Sequence, residues 1–247
     1  MKRLWTVGEL VTHRPFPAPK WLIDGLLPGG GWTLCIAKGK VGKSILVTQM
    51  LHALSVGEEF FGKTVPAPVP TVLLQADTPP AIWQDELAQA GFPKDSPVHT
   101  LFLEPGVLSG GMEKVMAELE PLRPCYVAFD ALDSLFVGLD VNNPDHAKEM
   151  LSRLRKVAGN VAFTLIHHSR KGSPMAEGQQ EDLRDAAAGS RVLLNRADHV
   201  IFLRSNLGPI EVTGRLASYT YEKRNLSRLP GGMWRYVPPV KGPAGPR

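Results

Sequence analysis

Short apolar runs separated by helix-patterned polar stretches organise most of the chain. The runs at 33–37, 70–76, 97–103, 124–130 and 160–167 are continuous rather than alternating. That predicts strands buried on both faces of a parallel sheet. Between and after them, apolar spacing predicts helices over 43–55, 79–90, 110–121, 144–157 and 183–194. The helix over 144–157 is the most fully specified: Asn143 can cap it, Pro144 suits its first turn, and Gly159 lies just past its end. Met150, Leu151, Leu154 and Val157 share one of its faces. Strand and helix in alternation imply an α/β fold, with a mostly parallel, doubly wound central sheet flanked by helices.

Beyond about residue 198 the pattern changes. Asp198 to Leu203, Ile210 to Thr213, Ala217 to Tyr221 and Trp234 to Val237 read as strands joined by turns, a C-terminal antiparallel extension. Residues 1–30 form a lead-in in which the prolines of 14–19 and the glycines of 29–31 disfavour regular structure, while Trp21, Leu22, Ile23, Leu26 and Leu27 are expected to pack on the core. The Pro- and Gly-rich residues 238–247 read as a flexible tail, which leaves 31–237 as the main domain.

Composition narrows the class. With 247 residues and 43% hydrophobic content the chain can build a full core. No run of 18 apolar residues suggests a membrane span, and the N-terminus lacks the apolar segment of a signal peptide. The two cysteines, Cys35 and Cys125, fall in predicted strands and read as core residues of a cytoplasmic protein rather than a disulfide or metal site. Charge is unevenly placed. Residues 1–149 carry 12 Lys and Arg against 17 Asp and Glu, whereas the remainder carries 16 against 7. A basic second half suits a polyanion or an acidic neighbouring subunit, and equally a solvated surface.

The chemistry is most specific at Ala37-Lys38-Gly39-Lys40-Val41-Gly42-Lys43-Ser44, between a predicted strand and a predicted helix. This is a phosphate-binding loop. Gly39 and Gly42 let successive backbone N–H groups turn inward, and the following helix directs its N-terminal dipole at the same anion. Lys38, Gly39, Lys40, Val41, Gly42, Lys43, Ser44 and Ile45 are therefore the candidate nucleotide cradle. Lys43 is placed to reach the β- and γ-phosphates and Ser44 to ligate Mg²⁺. Ala37 stands where glycine is commoner.

Three further segments fit around that loop. Tyr126-Val127-Ala128-Phe129-Asp130 ends an apolar strand in a carboxylate, the pattern of a Walker B acid that would share Mg²⁺ with Ser44. Asp133 is a nearby alternative, better suited to a turn or cap. Asp77, at the end of the strand after the loop's helix, can polarise an attacking water or belong to a helix cap, with Thr78 as a candidate cap and Pro79 and Pro80 in the first turn. His167 and His168 end another strand. Neighbouring strand residues point oppositely, so one of the two should face the nucleotide and sense its γ-phosphate.

In order and spacing these segments resemble the RecA-like AAA-family ATPases of the plasmid RepA-helicase type. The resemblance runs from Trp21-Leu22-Ile23-Asp24-Gly25-Leu26-Leu27-Pro28 and Gly31-Trp32-Thr33-Leu34 through the phosphate loop. It continues over Ala76 to Pro80, Phe129-Asp130-Ala131-Leu132, His167 to Lys171, and Gly189-Ser190 to Ala197-Asp198. It implies a RecA-like ATPase domain over 31–237 that assembles as a homo-oligomer, a ring or filament with a hexameric ring expected, with ATP and Mg²⁺ bound between subunits and single-stranded DNA along the channel or axis. It implies catalytic roles for Lys43, Asp77, Asp130 and a histidine, His167 or His168. It also implies a cationic finger given to the neighbour's nucleotide, assigned to Arg224 with Lys223 as companion. The family usually has glutamate where Asp77 stands, one methylene longer.

The polar stretch 169–189 lies where such proteins hold a DNA-contacting loop, which makes Arg170, Lys171 and Arg184 candidate phosphate contacts. It has no aromatic residue, so base stacking is not expected there. The expectation is an ATPase acting on single-stranded DNA in replication or recombination, as helicase or translocase. The competing reading is an ATP-dependent regulatory or mediator module with little hydrolysis. A small-molecule kinase fits less well, because no lid or acceptor site is readable.

Overall fold

A computed structural model describes residues 4–13, 20–37, 40–168, 191–203, 209–214 and 222–237. Its centre is a nine-stranded sheet. Six strands run parallel: β3 (Trp32–Ala37), β4 (Thr71–Gln75), β5 (His99–Phe102), β6 (Tyr126–Asp130), β7 (Ala162–His168) and β8 (His199–Leu203). Three antiparallel strands extend one edge: β9 (Pro209–Gly214), β10 (Glu222–Arg228) and β11 (Trp234–Val237). Across the sheet the order is β11-β10-β9-β8-β3-β7-β6-β4-β5. The α/β, mostly parallel architecture with a C-terminal antiparallel extension is as the sequence pattern implies.

The continuous apolar runs are explained by helices on both faces. Alternate strand residues feed two separate cores. Cys35, Leu73, Ala128, Ile166 and Ile201 pack with α2 (Lys43–Val56) and α3 (Pro80–Ala90). Leu34, Leu74, Phe129, Leu165 and Phe202 pack on the opposite face. There they meet α4 (Val107–Gly110), α5 (Met112–Leu119), α6 (Leu132–Leu135), α7 (Pro144–Ala158) and α8 (Arg191–Arg196). β3, β4, β6 and β8 are buried along their whole length. β5 is the exception: as the edge strand it is half-exposed, not buried on both faces as expected.

Local rules account for most boundaries. Asn143 caps α7, its side-chain oxygen accepting from the N–H groups of Asp145 at 2.9 Å and His146 at 3.3 Å. The expected helix over 110–121 forms as α5, preceded across Gly111 by the short α4, which the apolar spacing does not indicate. Of the expected helix over 183–194, only residues from 191 lie among those described. The strand expected at 217–221 and the tail 238–247 lie outside the described residues. Cys125 is exposed, one residue before β6, and not a core residue. Cys35 is fully buried, and burial pushes its thiol up to about 12, which leaves it an inert core side chain.

The lead-in is more regular than its prolines imply. Residues Val7–His13 form α1, started by a reciprocal capping box: Thr6 N–H donates to Glu9 Oε2 at 2.8 Å, and Glu9 N–H donates to Thr6 Oγ1 at 3.2 Å. β1 (Trp21–Ile23) and β2 (Leu27–Pro28) pair antiparallel and bury Ile23, Leu26 and Leu27 against the α2 face. Trp21 closes the lower end of β8, meeting His199 edge-on at 5.9 Å between ring centres.

Two features at that end set testable stabilities. Gly31 enters β3 with φ of 80°, and a Cβ there would collide with the Asp198 carboxylate, which accepts the Trp32 N–H at 3.0 Å. We expect Gly31→Ala to cost about 2–3 kcal/mol in urea unfolding, more than a Gly-to-Ala change in an ordinary loop. His199 is 1% exposed, and neither ring nitrogen has a hydrogen-bond partner among the described residues. Burial holds its pKa below the ordinary 6.5, with Asp198 opposing weakly. The folded state thus binds the proton less readily than the unfolded chain, so stability is full above pH 6.5 and falls as pH drops below it. Thermal melts from pH 7.5 downward should show that decline, and His199→Phe should flatten it.

Candidate nucleotide site

The carboxyl ends of β3, β4, β6 and β7 lie side by side, and the last residue of each has the α2-face parity. Gln75 pairs in register with Asp130, and Ala37 with His168. Because Leu73, Ala128 and Ile166 point to the α2 side, so do Gln75, Asp130 and His168, two residues further on. These ends frame a cavity of about 490 Å³ with Lys40, Gly42, Lys43, Ser44, Asp77 and Thr78 on its walls.

The phosphate loop enters this cavity from β3. Lys38 and Gly39 lie outside the described residues. Lys40 takes φ of 60° and Gly42 φ of 98°, left-handed values that curl the chain before α2 begins at Lys43. Val41 and Ile45 are buried and anchor the loop to the α2 core. Gly42 ends the turn with its carbonyl accepting from Leu46 N–H at 3.0 Å and from Trp234 Nε1 at 3.1 Å. A peptide's carbonyl and the next N–H point in opposite directions. Fixing Gly42 in this way aims the Lys43 amide out of the helix end, towards an anion.

Lys43 and Asp130 carry the electrostatics. Lys43 is 5% exposed, and burial lowers its pKa, opposed by the charges around it, including Asp130, Asp77 and Asp133. Its Nζ lies 3.1 Å from His168 Nδ1. Asp130 is 1% exposed, and burial raises its pKa, while the Ser44 hydroxyl, the Gln75 amide and Lys43 oppose that shift. The Ser44 hydroxyl therefore faces the Asp130 carboxylate. Among the described residues no group of three or more His, Cys, Asp or Glu could hold a metal. A hard cation between Ser44 and Asp130 would take its remaining ligands from phosphates and water, which fits Mg²⁺.

Several expectations are refined here. His168, not His167, reaches the cavity: His167 has the parity of Leu165 and lies buried towards the other face. Asp130 rather than Asp133 lines the cavity, since Asp133 begins the exposed side of α6. Thr78 does not cap α3, which starts at Pro80 after Pro79 without a side-chain cap. Its N–H instead donates to Gln75 Oε1 at 3.1 Å, beside that of Asp77 at 2.9 Å. Asp77 Oδ1 accepts the Ser134 hydroxyl at 3.0 Å, which holds this carboxylate at the rim. Arg170, Lys171 and Arg184 lie outside the described residues, and for Arg224 only the backbone, in β10 opposite Ile210, is described.

Two contributors were not foreseen. Gln75, 1% exposed, donates to Asp130 Oδ2 at 3.0 Å while its carbonyl receives the two loop amides, so one side chain fixes both acidic positions. Its signal was a lone amide ending the apolar run Thr71-Val72-Leu73-Leu74. Arg228, the last residue of β10, and Gly231, in the turn before β11, also line the cavity, together with Glu86 and Gln89 of α3. Nothing in their local sequence marks a contact so distant along the chain.

Comparison with known proteins agrees with this geometry. Residues 2–174 match the AAA domain family. No curated protein matches the chain. Among solved structures, a KaiC-like protein from the hyperthermophilic archaeon Pyrococcus horikoshii OT3 superposes with a TM-score of 0.59 over 90% of this chain and 96% of that one, at 15% identity. At that identity the likeness speaks for the fold. These comparisons support a RecA-like ATPase and do not single out the RepA-helicase type. With the family matched over most of its length and a phosphate loop, buried acid and lysine converging on one cavity, the chain belongs to the AAA domain family and is a nucleotide-binding P-loop ATPase.

Proposed function

We propose that this protein is an oligomeric, Mg²⁺-dependent ATPase that acts on single-stranded DNA. The observation that carries the ATPase reading is the convergence of Lys43, Ser44, Asp77, Asp130 and His168 on one cavity at the carboxyl edge of the sheet. Lys43 and the loop amides hold the β- and γ-phosphates. Ser44 and Asp130 would hold Mg²⁺, which when bound would withdraw charge from the phosphates. Asp77, steadied by Ser134, orients a water for in-line attack on the γ-phosphorus and accepts its proton, and the bond to ADP breaks. His168 Nδ1 meets Lys43 Nζ, so a γ-phosphate that draws Lys43 towards itself also acts on His168.

His168 is followed directly by the stretch bearing Arg170, Lys171 and Arg184. A histidine that responds to nucleotide is thereby joined to the candidate DNA contacts, and the basic second half of the chain supports a polyanion partner. Arg224, with Lys223, would complete a neighbour's site in a homo-oligomer. A hexameric ring is the expected form.

A second reading has one observation in its favour. Asp77 is a short acid, and one of its oxygens is already engaged by Ser134. A site built this way suits a nucleotide-switched assembly module with slow turnover.

Measuring ATP turnover with and without single-stranded DNA separates the two. On the motor reading, DNA raises turnover, Lys43→Ala abolishes nucleotide binding, and Asp77→Ala keeps binding while lowering turnover by about 10²-fold or more. Negligible turnover under every condition would leave the switch reading in its place. His168→Ala should retain basal turnover better than DNA stimulation, and a protein that stays monomeric with ATP present would remove Arg224 as a finger. Gln75→Leu should cost about 2–3 kcal/mol in denaturant unfolding, because it removes the acceptor of two part-buried amides and the donor to the buried Asp130 carboxylate. The same variant should need more Mg²⁺ for half-maximal turnover.

A further inference from the structure

The C-terminal hairpin β10–β11 lies beyond the residues matched to the AAA domain family, yet it crosses the mouth of the phosphate loop. Three contacts fix it there. Gln49 of α2 holds both backbone groups of Trp234, donating to its carbonyl at 3.0 Å and accepting its N–H at 2.9 Å. Trp234 Nε1 in turn holds the Gly42 carbonyl at 3.1 Å. At the hairpin tip, Gly231 sits so close to the Gln89 carbonyl of α3 that a Cβ would collide with it. The hairpin therefore bridges from α2 to α3 and walls the cavity between them.

That placement gives Arg228 a specific position. Its Nε donates to the Gly232 carbonyl at 3.3 Å, which fixes the guanidinium plane. Its Nη2 lies 3.3 Å from where a Cβ of Gly42 would stand, immediately before Lys43 and Ser44 in the loop. The side chain is half-buried, lines the cavity, and makes no ion pair with any described residue. A guanidinium keeps its charge when desolvated, and its planar fork of donors matches phosphate oxygens.

We infer that Arg228 is a phosphate-binding residue of the chain's own nucleotide site, a second cation that meets the polyphosphate from the hairpin side while Lys43 meets it from the helix side. This rests on the nucleotide-site assignment above and adds to it a wall that the family match does not contain. The ligand chemistry is a di- or triphosphate. The nucleobase is not what Arg228 recognises.

Calorimetric titration of the full-length protein with ATP, ADP, AMP and inorganic tripolyphosphate, each with Mg²⁺, tests this in wild type, Arg228→Ala, Arg228→Lys and Lys43→Ala. Arg228→Ala should weaken ATP, ADP and tripolyphosphate by about tenfold each and AMP much less. Arg228→Lys should recover part of the loss. The melting temperature without ligand should stay near wild type in Arg228→Lys, so its affinities are read on an intact hairpin. The inference is overturned if Arg228→Ala and Arg228→Lys bind ATP and tripolyphosphate as wild type does while Lys43→Ala does not. It is overturned equally if ATP and AMP weaken together with tripolyphosphate unchanged, which would put the guanidinium on the nucleoside. If wild type and Lys43→Ala bind nucleotide alike, the site assignment itself falls.

Discussion

Lys43 and Asp130 are opposite charges taken almost wholly out of water at the carboxyl edge of the sheet. Each is penalised by burial, as the direction of each pKa shift shows. Neither would persist without compensation, and the compensation explains much of the local architecture. Gln75 and the Ser44 hydroxyl donate towards Asp130, and the His168 ring lies beside Lys43. These side chains come from strands adjacent in the sheet or from the helix that follows one of them. A parallel sheet can present them together because its strands end at one edge with a common register. Completing the compensation requires an anion for Lys43 and a cation for Asp130. Magnesium and polyphosphate supply both at once, so binding can repay a desolvation cost that folding has already incurred.

The amino-acid sequence disclosed that edge well and its orientation poorly. Strands β3, β4, β6 and β7 were readable because each is an unbroken apolar run ending in polar or small residues. The same burial on both faces hid which side each residue takes. In a half-exposed strand, polar positions mark the outer face. In β7 both faces are apolar, so His167 and His168 could not be told apart until Ile166 was seen to pack with α2. The Walker B acid was legible because its motif carries spacing as well as pattern. Gln75 was not, since an amide at a strand end has many ordinary explanations. The capping box of α1 is legible in principle: Thr6 and Glu9 stand at the required spacing, although the proline-rich 14–19 that follow disfavour regular structure.

The hairpin β10–β11 illustrates a different limit. Its strands pair locally, but its function depends on contacts with Gln49, Gly42 and Gln89, each far away in the chain. No periodicity encodes such a meeting. What the sequence does contain is permission for it. Gly231 and Gly232 take φ of 91° and 111°, and only a residue without a side chain lets the tip rest on α3. Gly42 plays the same part from the other side, where a side chain would crowd Trp234 and Arg228. The glycine that the phosphate loop needs for its turn is also the one that admits the hairpin.

A mechanical consequence follows from where β10 lies. Its first half, 222–225, pairs with β9 and its second half, 225–228, with β11, so it joins the two strands at Asn225. Arg228 ends it at the chain's own cavity. Arg224, the residue proposed to serve a neighbouring subunit, precedes it by four positions, about 13 Å along an extended strand. Trp234 and Gln49 tie the same hairpin to the helix that begins at Lys43, so β10 and the phosphate loop are held to one another. In the oligomer proposed above, the cation offered to a neighbour would be positioned by the same strand that carries Arg228 to the chain's own phosphates, so one element would serve both sites.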